Sequence, residues 1–193
     1  MLFTKANILI NKNGDAVLAD FGLLTIVSDS TYSSTSGSFS CAGTTRWMSP
    51  ELLDPEPFGC KSDQPTEKSD CYALGMTILE VLSGRLPFHY YKDLTVMQKI
   101  LDGDRPERPM GPEKVWFTDD LWEMLGLCWS PKPNNRPMIE VVLEKLDHGL
   151  MTWEPIPPSL DGDAHTDIDD ACSTVTSLST FLHFILNVVI TIN

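Results

Sequence analysis

The chain has no C-x-x-C pair, few basic residues and no apolar run as long as a membrane span. Its five cysteines (Cys41, Cys60, Cys71, Cys128, Cys172) are scattered and odd in number. That distribution excludes the usual zinc and thioredoxin-like spacings and argues against a disulfide framework. A reducing compartment, cytoplasmic or nuclear, is the expected setting. Lys and Arg total 14 against 27 Asp and Glu, a formal net charge of −13. Residues 146–193 carry seven acids and neither Lys nor Arg. An acidic chain lacks the basic patch that displaces phosphate counterions, so no nucleic-acid partner is expected. The N-terminus shows no basic-then-apolar leader pattern. The apolar run 178–192 contains His183 and Asn187 and falls short of the ~20 residues that cross a bilayer, so a membrane partner is not expected.

Hydrophobic residues make up 42% of the 193, which suffices for one packed domain with a tail. Asn7–Ile10 and Ala16–Ala19 are short apolar runs around Asn11-Lys12-Asn13-Gly14, a hairpin signal. Leu23–Val27 reads as a further short strand, and Ser28–Ser40 as a polar surface loop. Ser69 or Asp70 is suited to cap a helix whose residues Tyr72–Leu82 are apolar almost all round, the pattern of a central buried helix. Gly84 ends it and Pro87 prevents its resumption. Leu94–Leu101, Asp119–Trp129 and Pro137–Leu146 read as amphipathic helices. The expected domain covers 1–150. An acidic, disordered linker is expected over 151–177, followed by a short apolar tail over 178–193.

The chemistry concentrates near the start. Asn7 and Asp20 flank the hairpin, and an amide oxygen and a carboxylate are hard donors suited to Mg²⁺. Gly22 permits a bend directly after Asp20-Phe21. Downstream stands Gly43-Thr44-Thr45-Arg46-Trp47-Met48-Ser49-Pro50-Glu51. Taken in this order over residues 4–148, these motifs resemble the C-terminal lobe of the protein kinase catalytic domain, and among kinases the tyrosine kinase-like group.

The resemblance implies a mainly α fold, a helical bundle with a small β-hairpin carrying the Asp-Phe-Gly. It implies that Asp20 and Asn7 hold magnesium and that Leu9 packs under the adenine of ATP. Ser49-Pro50-Glu51 would close the activation segment, with Thr44, Thr45 and Trp47 toward substrate. Phe21 and Gly22 would have structural roles. Asp70 would brace the catalytic loop, and Arg136 would pair with Glu51. The partner implied is a protein substrate phosphorylated on Ser or Thr. The family's catalytic base stands five positions before the Asn, and that position is Leu2; the associated lysine position is Thr4. These residues contain no Gly-rich loop, strand lysine or helix glutamate of the small lobe. The 193 residues alone are therefore expected to be inactive. The alternatives are a kinase-like lobe that binds a protein partner and a non-functional fragment.

Overall fold

A computed structural model describes residues 8–10, 12, 16–18, 44–59 and 64–151. They fall into two compact units, one running from Thr44 to Ile139 and the other holding the hairpin and the stretch from Glu140.

In the larger unit, the sequence around residue 69 makes the longest helix. Helix α2 spans Glu67–Ser83. It begins earlier than the sequence suggests. Thr66, not Ser69 or Asp70, is its N-cap: the Thr66 hydroxyl accepts from the Ser69 amide at 3.2 Å, and Ser69 Oγ accepts from the Thr66 amide at 2.8 Å. Ser69 thus takes the third helical position of a reciprocal capping box, a role Ser fills as a short relative of the usual Glu. Gly84, at φ 67°, ends the helix in the left-handed conformation that glycine adopts without steric cost.

Ten consecutive residues of α2, Cys71–Glu80, are buried. Hydrophobic burial contributes roughly 25 cal/mol per Å², so this all-round coverage makes α2 the axis of the unit. Helix α4 (Asp119–Cys128) packs on it, as do the 3-10 turns Thr45–Trp47, Pro112–Trp116 and Pro133–Asn135. The short helix α1 (Pro50–Leu53) and helix α3 (Asp93–Leu101) contact each other, and α3 also contacts the Thr45–Trp47 turn. Helix α4 is capped by Thr118, whose hydroxyl accepts from the Leu121 amide. Edge-to-face rings fill the space at its two ends: Phe117 on Trp122 at 6.0 Å and Trp122 on Trp129 at 5.5 Å.

In the smaller unit, strands β1 (Ile8–Ile10) and β2 (Ala16–Leu18) form an antiparallel hairpin with Ile8 opposite Leu18, Leu9 opposite Val17 and Ile10 opposite Ala16. Helix α5 spans Ile139–Met151. It starts two residues after Pro137 and runs five beyond Leu146, with Val142, Leu143 and Leu146 buried at helical spacing. Leu23–Val27, the Ser28–Ser40 loop and nearly all of the expected linker and tail lie outside the described residues.

Candidate functional site

The site begins with the segment Thr44–Glu51. Thr44 and Thr45 are partly exposed, whereas Arg46, Trp47 and Met48 are buried. Thr44 and Thr45 are thus the more exposed part of this turn, and Trp47 belongs to the packing beneath it. The turn closes through Trp47 N–H to Thr44 O at 3.1 Å and Met48 N–H to Thr45 O at 3.2 Å.

Arg46 holds this turn to the loop between α2 and α3. Its Nη1 donates to Pro87 O at 2.7 Å and to Phe88 O at 2.8 Å, and its Nη2 donates to Tyr91 O at 2.6 Å. Asp93, at the start of α3, lies 2.9 Å from Nη2. Such charge-assisted bonds to carbonyls are stronger than neutral ones. They stabilise a loop in which Phe88 takes φ 54°, a conformation that costs a bulky residue about 1–3 kcal/mol. Sequence reasoning quoted Arg46 within its motif but gave it no role. Nothing in the local pattern shows that three carbonyls forty residues on converge on it.

Glu51, in the first turn of α1, meets Arg136. The guanidinium donates Nη1 to Oε1 at 2.6 Å and Nη2 to Oε2 at 2.7 Å, a bidentate pair with both side chains almost fully buried. Two further donors are used as well, Nε on Ser130 O at 2.9 Å and Nη1 on Lys68 O at 2.8 Å. Lys68 returns a bond from Nζ to Arg136 O at 2.8 Å. The four hydrogen bonds that Arg136 donates help a charge pair sit in the interior.

Tyr72, fully buried, carries two guanidinium groups near its ring, Arg136 at 5.1 Å and Arg105 at 5.7 Å. Burial pushes its hydroxyl up to about 12. Asp70, in the first turn of α2, is half-buried. Burial raises its carboxyl above the usual range. Leu9 lies in β1 opposite Val17. Leu2, Asn7, Asp20, Phe21 and Gly22 lie outside the described residues. No cluster of three or more His, Cys, Asp or Glu suited to a metal occurs among the described residues.

The same unit has an open groove of ≈ 440 Å³ between the α2–α3 loop and the segment 104–111. Tyr90 and Met110 line it and are 70% and 83% exposed.

A central buried α2 with the Thr44–Glu51 segment pinned to it is consistent with the C-terminal lobe of a kinase domain. A model of the protein tyrosine and serine/threonine kinase family matches residues 3–146, and the chain belongs to the protein kinase family. A probable serine/threonine-protein kinase of Dictyostelium discoideum is 32% identical over 143 residues, covering 72% of this chain and 14% of that protein. A second from the same organism is 31% identical over 156 residues, covering 80% of this chain and 28% of its own length. The tyrosine-protein kinase Btk of Drosophila melanogaster is 28% identical, covering 72% of this chain and 16% of its own. The chain therefore spans less than a third of each of these relatives. Kinases of this family transfer phosphate from ATP, with Mg²⁺, to proteins.

Proposed function

We propose that these residues form the substrate-side lobe of an ATP- and magnesium-dependent kinase acting on protein Ser or Thr, in a cytoplasmic or nuclear setting. The carrying observation is the segment Thr44–Glu51. Arg46 and Glu51 fix it at both ends by buried charge-assisted bonds, while Thr44 and Thr45 stay accessible. Positioning is most of what phosphoryl transfer asks of a protein. The serine/threonine kinases among the relatives support Ser or Thr over Tyr. Two buried free thiols, Cys71 and Cys128, support a reducing compartment.

Asn7 and Asp20 are the residues that would hold magnesium. Their donors are of the right chemistry, hard neutral and anionic oxygens. The hairpin register supports the pairing, because Ile8 lies opposite Leu18, so the chain enters β1 and leaves β2 at the same end. When bound, Mg·ATP supplies the transferable phosphoryl group and neutralises its charge. Leu9 would contribute an apolar side chain to the adenine.

The position of the proton-accepting Asp is Leu2, which has no group to take a proton from a substrate hydroxyl. The 193 residues by themselves are thus proposed to be catalytically inactive. Incubating the purified chain with radiolabelled ATP, Mg²⁺ and a generic protein substrate should give no transfer above the Asp20→Ala variant. Robust transfer that disappears in Asp20→Ala would overturn the inactivity. The genomic sequence upstream of Met1 tests the kinase reading itself: an in-frame Gly-rich loop, strand lysine and His-x-Asp would support it, and stop codons there would count against it. A second reading, a protein-binding module, is favoured by the groove with exposed Tyr90 and Met110. Loss of capture of a crosslinkable substrate peptide in Tyr90→Ala, with folding intact, would support it.

A further inference from the structure

The groove between the α2–α3 loop and the segment 104–111 gathers exposed apolar surface. Nine large apolar side chains are exposed among the described residues, and four of them, Leu86, Tyr90, Tyr91 and Met110, line this one groove. Scattered singly such side chains are ordinary; gathered in a concavity they mark a place where another molecule is bound. The charge of the groove is also of the minority sign. Arg85, Lys99, Arg105 and Arg108 line it against Asp104 and Glu107, an excess of two positive charges in a chain whose formal total is −13.

Three of these cations are held in place. Lys99 Nζ lies 2.8 Å from Asp104 Oδ2 and 4.6 Å from the centre of the Tyr91 ring. Arg108 Nη1 lies 2.6 Å from Asp119 Oδ1. Arg105 donates through Nε to Trp129 O and through Nη1 to Asp104 O, the second at 2.7 Å. Its Nη2 is buried and has no acceptor among the described residues. A guanidinium nitrogen without an acceptor, in a groove with cations in excess, favours an anionic oxygen as its partner.

Building on the protein-binding reading of this groove, we infer that it docks an acidic peptide segment of a partner protein, in which apolar side chains are flanked by Asp or Glu. The apolar side chains bury the exposed faces of Tyr90 and Met110, and that burial supplies most of the affinity. The flanking carboxylates meet the cations, and their charge supplies the choice of partner and the speed of encounter. A guanidinium suits a carboxylate because its fork matches two oxygens at once. The wall is also set before binding. Arg46 holds the carbonyls of Pro87, Phe88 and Tyr91 from the other side of the loop, so little conformational freedom remains to be lost when the segment arrives.

The test titrates a fluorescein-labelled peptide, Asp-Glu-Asp-Leu-Phe-Glu-Asp-Glu, with the purified chain and follows fluorescence anisotropy. Saturable binding is expected. It should weaken as ionic strength rises from about 0.1 M to about 1 M, where the screening length falls from about 10 Å to about 3 Å. Lysine in place of the acids, or Gly-Gly in place of Leu-Phe, should abolish it. Tyr90→Ala and Arg85→Glu should each weaken it by about fivefold or more, with circular dichroism unchanged. Leu127→Ala, as exposed as Leu86 but outside the groove, should leave it intact. Equal binding of the lysine peptide, or equal weakening by Leu127→Ala, would overturn the inference; both peptide comparisons use the wild-type chain and need no variant to fold. Self-association in sedimentation that Tyr90→Ala abolishes would also overturn it, by giving the groove to a second copy. If the acidic peptide does not bind while crosslinked capture of the substrate peptide still depends on Tyr90, the acidic partner is wrong and the protein-binding reading stands; if neither binds, both fall.

Discussion

The hydroxyl of Tyr72 is a buried polar atom with no hydrogen-bond partner among the described residues. An unmet buried donor of this kind costs about 1–3 kcal/mol. Tyr72→Phe removes the atom and keeps the ring between its two guanidiniums, so it should raise unfolding stability at pH 8 by ~1 kcal/mol. The group also sets an alkaline limit. Its folded value, about 12, stands above the ordinary 10.0. The unfolded chain therefore loses the phenolic proton first, and the stability held below pH 10 is lost as pH rises toward 12. Denaturant unfolding between pH 8 and 12 should show that decline in the wild type and a shallower one in Tyr72→Phe. Arg46→Lys tests a different residue-scale point. A single ammonium cannot serve carbonyls at 87, 88 and 91 as a planar fork does, so a loss of about 1–3 kcal/mol is expected by chemical denaturation.

At the scale of elements, the α2–α4 crossing is set by one missing side chain. Gly75→Ala introduces a Cβ that meets both Trp129 and Cys128. Overpacking of a fixed interior costs about 1–3 kcal/mol. Alanine's better helix propensity recovers roughly 1 kcal/mol, so a net fall in unfolding temperature by calorimetry is expected. The element pattern was largely legible in sequence. The all-round apolar run Tyr72–Leu82 announces a central helix, and Asn-Gly announces a hairpin. The start of α2 was not, because Thr66 and Ser69 are both competent caps and only the reciprocal bonds decide between them. The 3-10 turns were also hidden, since they have no periodicity of their own.

At the scale of the whole molecule, the larger unit is held together by contacts between distant parts of the chain. Glu51 and Arg136 are 85 positions apart. Removing either partner leaves a buried charge alone, at ~3–5 kcal/mol. Glu51→Ala and Arg136→Ala should each lose that much, and the double variant distinctly less than their sum, in a denaturant double-mutant cycle. Sequence named this pair through the kinase resemblance, which pairs Arg136 with the Glu51 of Ser49-Pro50-Glu51. It could not find the close approach of Gly75 to Cys128 and Trp129, because a separation of that length carries no periodic signal and depends on where α2 and α4 cross.

Arg46 adds one more consequence. It reads the α2–α3 loop entirely through main-chain oxygens at Pro87, Phe88 and Tyr91. A carbonyl is common to every amino acid, so the clamp is indifferent to which side chains the loop displays. The loop's outward residues are thus free to diversify while the turn below stays in place. In a saturation mutagenesis screen for folded protein, tolerance should be broad at His89 and Tyr90 and narrow at Arg46.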